Sequence, residues 1–202
     1  LETLQPETQP TQPTQPIPEI PAQERTDWKR FLLDLLETVG LAVILFLVIN
    51  TLSARVRVDG FSMLPTLQDG EFVLVNKLAY RIGSPARGDI IVFRSTTVAD
   101  LDLVKRVIGL PGDKVEVRNG KVMLNGQALS EAYINAAPNY SGAWNVPNGY
   151  LFVLGDNRND SSDSHQWGFL PQQNIIGKAL LIYWPPPDWA MIDHTKIVVA
   201  AP

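Results

Sequence analysis

The chain has 202 residues, 45% of them hydrophobic and 19% charged, with a formal net charge of -4. That length suits one domain with its own core plus appendages, and the slightly acidic balance gives no sign of the basic face a nucleic-acid partner requires. Without cysteine there is no disulfide, thiolate metal site or cysteine nucleophile. The only histidines are His165 and His194, with no HExxH spacing, so neither a metal nor another cofactor is expected.

Residues 1–26 repeat Pro, Gln and Thr and carry few large apolar side chains. Such a segment cannot bury enough surface to offset the entropy of ordering, and it is expected to be a disordered tail. A second segment, 27–54, holds the apolar run from Phe31 to Leu52. As a helix its 22 residues span about 33 Å, enough to cross a hydrocarbon core. Asp34 and Glu37 lie in its first third, where they can reach headgroups. A single transmembrane anchor is the favoured reading, against a cleavable signal peptide (Lys29 and Arg30 before, Ser53 and Ala54 after) and an ordinary core helix. Arg25, Lys29 and Arg30 on one side nearly balance Arg55 and Arg57 on the other, so charge alone does not fix orientation.

From residue 55 to 202 short β-branched runs predict a mainly β domain. They fall near Arg57, at Glu71 to Lys77, Asp89 to Phe93, Leu103 to Ile108, Tyr150 to Leu154 and Gly177 to Trp184. Between Val115 and Leu129 the pairs Asn119-Gly120 and Asn125-Gly126 each suit a two-residue type I′ turn, which predicts tight hairpins.

Three segments carry possible chemistry. In VDGFSMLPTLQDGE, Ser62 follows a glycine turn that can present a hydroxyl and its backbone N–H to a carbonyl; the plain alternative is a turn serine. In DLVKRVIGLPGD, Lys105 and Arg106 point to opposite faces of one apolar strand. A lysine facing inward loses its charge readily and can then deprotonate a serine; the plain alternative is a lysine reaching out to water. In GDNRNDSSDSHQWG, Gly155 to Gly168, carboxylates, hydroxyls, Arg158 and His165 crowd a polar loop after an apolar strand.

With PARGDIIVF at Pro85 to Phe93, these segments resemble, in order and spacing, the boxes of the type I signal peptidase family: SMxPTL, RGDIVxF, KRVIGLPGD and GDNRxxSxDSxxWG. The resemblance covers roughly Phe31 to Pro186. It implies a β-rich serine protease domain, membrane-anchored, that cuts leader peptides from exported pre-proteins without a cofactor or metal. On the matching positions it implies Ser62 as nucleophile, Lys105 as general base and Ser161 as the residue that orients the Lys105 amine. Arg106 would pair with Asp156, and Asp163 would brace the loop. Val58, Met63, Leu67 and Val104 would form shallow pockets for small residues of the substrate. Gly60 stands where a serine in the best-studied bacterial form adds to the oxyanion hole. His165 stands where Arg usually follows the DS pair; the form DSHxWG resembles the thylakoidal processing peptidase branch and makes His165 a partner of Asp163.

The expected substrates are signal peptides, and the expected setting is a plasma or thylakoid membrane with the catalytic domain on the periplasmic or lumenal side. Leu52 precedes Ser62 by ten residues, at most about 33–36 Å, so the nucleophile would stay close to the bilayer. Strand Arg55 to Asp59 can accept an extended substrate as an added strand. Three other readings stay open: a Ser62–His165 mechanism, a non-catalytic β-domain on a membrane stalk, and a self-cleaving Ser–Lys regulator, against which the membrane segment speaks.

Overall fold

The structure, a computed structural model, describes residues 27–194 and 198–199. The expected tail at 1–26 lies outside the described residues. The chain divides into two units between Val43 and Ile44. The described part of the first unit is helical, the opening stretch of α1 (Trp28–Leu52). Helix α1 is long and apolar enough to cross a membrane and buries none of its residues, which removes the core-helix reading. Its few hydroxyls are satisfied within the helix: Thr38 Oγ1 donates to the Asp34 carbonyl and Thr51 Oγ1 to that of Leu47, each at 2.7 Å. Back-bonding of this kind removes the cost of an unpaired hydroxyl in an apolar setting.

In the second unit two antiparallel sheets carry the fold. The first contains β1 (Ser53–Arg57), β2 (Phe72–Asn76), β3 (Ile90–Arg94) and β4 (Asp102–Gly109). The second is built on β5 (Lys114–Arg118), β6 (Lys121–Leu124), β7 (Gln127–Ser130) and β8 (Gly142–Asn145). The chain then returns to the first sheet with β9 (Tyr150–Leu154), β10 (Leu170–Pro171), β11 (Ile175–Trp184) and β12 (Ala190–Met191), and β13 (Val198–Val199) joins the second. The strand order is β1-β2-β11-β3-β4-β9-β10, with β12 beside β11, and β13-β7-β6-β5-β8.

Local chemistry explains the turns and strands. Asn119 and Gly120 have φ of 51° and 70°, and Asn125 and Gly126 have 51° and 87°, the positive pair a type I′ turn needs. Strand β2 alternates, burying Val73 and Val75. Strand β4 does not alternate, because both of its faces are covered, and it is buried from Val104 onward. Val104 packs with Val58, Met63, Leu67 and Val92, whereas Val107 packs with Ile91, Phe93, Val153 and Leu170. A third cluster, including Ile108, Val115, Val122, Phe152 and Leu154, joins the two sheets. Two short helices break the β pattern: α2 (Ala79–Ile82) and α3 (Ser164–Trp167).

Candidate active site

Strand β4 and two loops converge on Ser62. Lys105 sits on β4 opposite Ile91 of β3 and is 2% exposed. Its Nζ lies 2.7 Å from Ser62 Oγ and donates to the Val104 carbonyl at 3.0 Å. Burial pulls its pKa down from 10.5 to about 8, partly opposed by the Asp163 and Asp156 carboxylates. A neutral amine at this separation can accept the hydroxyl proton of Ser62.

The Ser62 turn is held by the polar loop after β9. The Asn157 N–H donates to the Ser62 carbonyl at 3.0 Å, and Asn157 Nδ2 to the Phe61 carbonyl at 3.1 Å. The Ser62 N–H has no acceptor among the described residues, so it is available to a ligand. Gly60, at φ 93°, takes a conformation that favours glycine, and its N–H is tied to Asp69 Oδ1 at 2.8 Å.

Arg106 and Asp156 form a buried two-point ion pair, with Nε–Oδ1 at 2.8 Å and Nη2–Oδ2 at 2.7 Å. Thr66 Oγ1 donates to the same carboxylate at 2.5 Å, Arg106 Nη1 donates to the Gly88 carbonyl, and the guanidinium lies over the Tyr133 ring. Full pairing is what makes such a buried charge tolerable. Asp163 caps α3. Its Oδ2 accepts from the Gly155 N–H at 2.9 Å, and its Oδ1 from His165, whose ring Nδ1 is 2.6 Å away. The His165 ring also stacks on Tyr140, with centroids 4.0 Å apart. No hydrogen bond links it to Ser62 among the described residues, so the geometry gives the Ser62–His165 mechanism no support.

Ser161 Oγ makes no hydrogen bond to Lys105: it is buried and without a partner among the described residues, packed beside Gly155. The amine spends its contacts on Ser62 and the Val104 carbonyl instead. Val58, Met63, Leu67 and Val104 do gather in one apolar cluster, but Met63 and Leu67 are 1% and 0% exposed.

Sequence reasoning missed the supports around this centre. Glu131 accepts two hydrogen bonds from Arg158, at 2.9 and 2.7 Å, and Arg158 Nε donates to the Gly155 carbonyl. Arg158 and Asn157 stood in the polar box and Thr66 in the serine box, which is a usable signal. Glu131 stood in no box at all.

The class defined by fold and geometry is a mainly β domain, following an N-terminal apolar helix, with a buried amine against a serine hydroxyl. Residues 32–184 match the family described as signal peptidase, peptidase S26. A signal peptidase I from Leptolyngbya laminosa is 46% identical over 163 residues, covering 76% of this chain and 80% of the relative. A probable signal peptidase I-1 from Synechocystis is 42% identical over 180 residues, 85% of this chain and 92% of the relative. A probable thylakoidal processing peptidase 2 from the Arabidopsis thaliana chloroplast is 40% identical over 146 residues, 68% of this chain and 40% of that protein. The chain belongs to the signal peptidase family, peptidase S26. It is therefore a peptidase, and α1 together with the bacterial and thylakoidal relatives fits a membrane-bound enzyme.

Proposed function

We propose that this chain is a membrane-bound serine endopeptidase that removes signal peptides from exported pre-proteins with a Ser62–Lys105 pair. The observation that carries the reading is the 2.7 Å approach of a buried lysine amine, with its pKa near 8, to Ser62 Oγ. Neutral Lys105 takes the Ser62 proton as Oγ attacks the scissile carbonyl. The free Ser62 N–H faces the developing oxyanion. The acylated intermediate forms on Ser62, the mature protein leaves with the proton from Lys105, and water deprotonated by Lys105 then releases the leader. Arg106, Asp156, Asp163 and His165 hold the two loops in register. No step calls for a metal or cofactor.

The reading takes α1 as an anchor at residues 27–54 and residues 55–202 as the catalytic domain on the periplasmic or lumenal side. β1 lies at the edge of its sheet, with β2 on its other side, which supports an extended substrate joining there as a further strand. Anchoring enzyme and leader in one bilayer raises their effective concentration. The test is cleavage of a leader-bearing pre-protein in detergent micelles by the wild type, Ser62→Ala and Lys105→Met. Both variants are expected to lose cleavage while folding normally; full activity in either would refute the pair.

A further inference from the structure

A second polar centre lies where α1 ends. The Lys77 N–H donates to the Leu52 carbonyl at 3.0 Å, and Asn76 pairs with Ser53, so Lys77 stands level with the last turn of α1. A cleft of about 630 Å³ opens there, bordered on its polar side by Thr51, Lys77, Arg81, Gln172 and Gln173. Arg87, Arg94, Arg106, Arg158 and Lys178 each meet a carboxylate, but Lys77 and Arg81 meet none among the described residues. The nearby acid is already spent: Asp89 is buried and takes hydrogen bonds from Lys178 and from Tyr80, which lines the cleft. The side-chain amides of Gln172 and Gln173 make no hydrogen bond within the described residues and remain free to donate.

The other wall of the cleft is apolar, from Ile175 and Ile176. Beside it, Ile82 at the end of α2 is 87% exposed. Two unneutralised cations, free amide donors and an adjoining greasy edge match an amphiphile with a negative head better than a free ion. We infer that this cleft binds the phosphodiester headgroup of an anionic phospholipid. The inference rests on α1 crossing a bilayer, because only then does the cleft stand at headgroup level. Cations so placed attract anionic lipid over a short range set by salt screening. Headgroup binding would fix the height of the domain above the membrane, and with it the reach of Ser62.

The test uses the full chain in nanodiscs of phosphatidylcholine with and without a minor fraction of phosphatidylglycerol, with retained lipid read by native mass spectrometry. The wild type is expected to retain phosphatidylglycerol with a preference that falls roughly tenfold or more in Lys77→Gln/Arg81→Gln. An equal charge change on exposed residues of the other sheet, Arg118→Gln/Lys121→Gln, is expected to leave it intact. Retention by the first variant, or equal loss in the second, overturns the site. Displacement of the lipid by millimolar inorganic phosphate overturns the lipid assignment in favour of a free anion. A chain that inserts into neutral nanodiscs yet shows no preference sinks this inference alone, whereas a chain that fails to insert sinks the anchor as well.

Discussion

Gly155 faces Ser62 so closely that a β-carbon built on it would run into the Ser62 carbonyl oxygen and Ser161 Oγ. The Gly155 N–H is simultaneously held by Asp163 Oδ2 and its carbonyl by Arg158. The backbone that carries Ser62 is thus wedged against the polar loop with no room for a methyl group. Gly155→Ala is expected to cost about 1–3 kcal/mol through overpacking. Because the displaced atoms carry the nucleophile, kcat/KM is expected to fall by about a hundredfold or more. Thermal unfolding and a leader-peptide cleavage assay on the same preparation check the two effects separately.

Replacing Asp156 with Asn leaves Arg106 buried without its charge partner. The expected loss of stability is about 3–5 kcal/mol, since both members are fully buried. The same change acts on the base. The Asp156 carboxylate holds the Lys105 pKa up, so its removal lets that pKa fall further. In Asp156→Asn protein that remains folded, the rising limb of the pH–rate profile should move to lower pH. Urea denaturation and a pH series of initial rates provide the two readings.

Much of this centre was legible in the chain because its parts are local patterns. The Asn-Gly pairs specify their own positive φ, and β2 announces itself by alternation. Lys105 and Ser62 each lay in a segment whose residue order carried the resemblance. Pairings across distant segments were not legible. Glu131 and Arg158 are 27 positions apart, and Asp89 and Lys178 are 89 apart, with nothing in either neighbourhood to name the other. Strand β8, Gly-Ala-Trp-Asn, lacks β-branched residues and exists because β5 offers it a partner. The surroundings of Ser161 were not legible either: a box fixes which residue is present, whereas only the fold packs Ser161 Oγ beside Gly155 without a partner among the described residues.

Lys105 also makes a prediction about stability. Its pKa is depressed in the folded chain, so between about pH 8 and 10.5 the unfolded state binds the extra proton and stability rises with pH. Below about pH 8 the folded protein carries the full cost of a buried charge, about 3 kcal/mol for a fall from 10.5 to about 8. Lys105→Met is therefore expected to be more stable than the wild type near neutral pH, less what the lost hydrogen bonds contributed. The gap should close as pH rises through that window. Denaturant midpoints for both proteins across the range check the sign.

The central claim concerns one proton, and it can be watched directly. Lysine labelled with ¹³C at Cε, in full-length protein in micelles, reports each amine by its chemical shift, and Lys105→Met identifies the resonance of Lys105. A Lys105 midpoint near 8 is the predicted result. A midpoint near 10.5, in the ordinary lysine range, would mean an amine charged at working pH and unable to take the Ser62 proton.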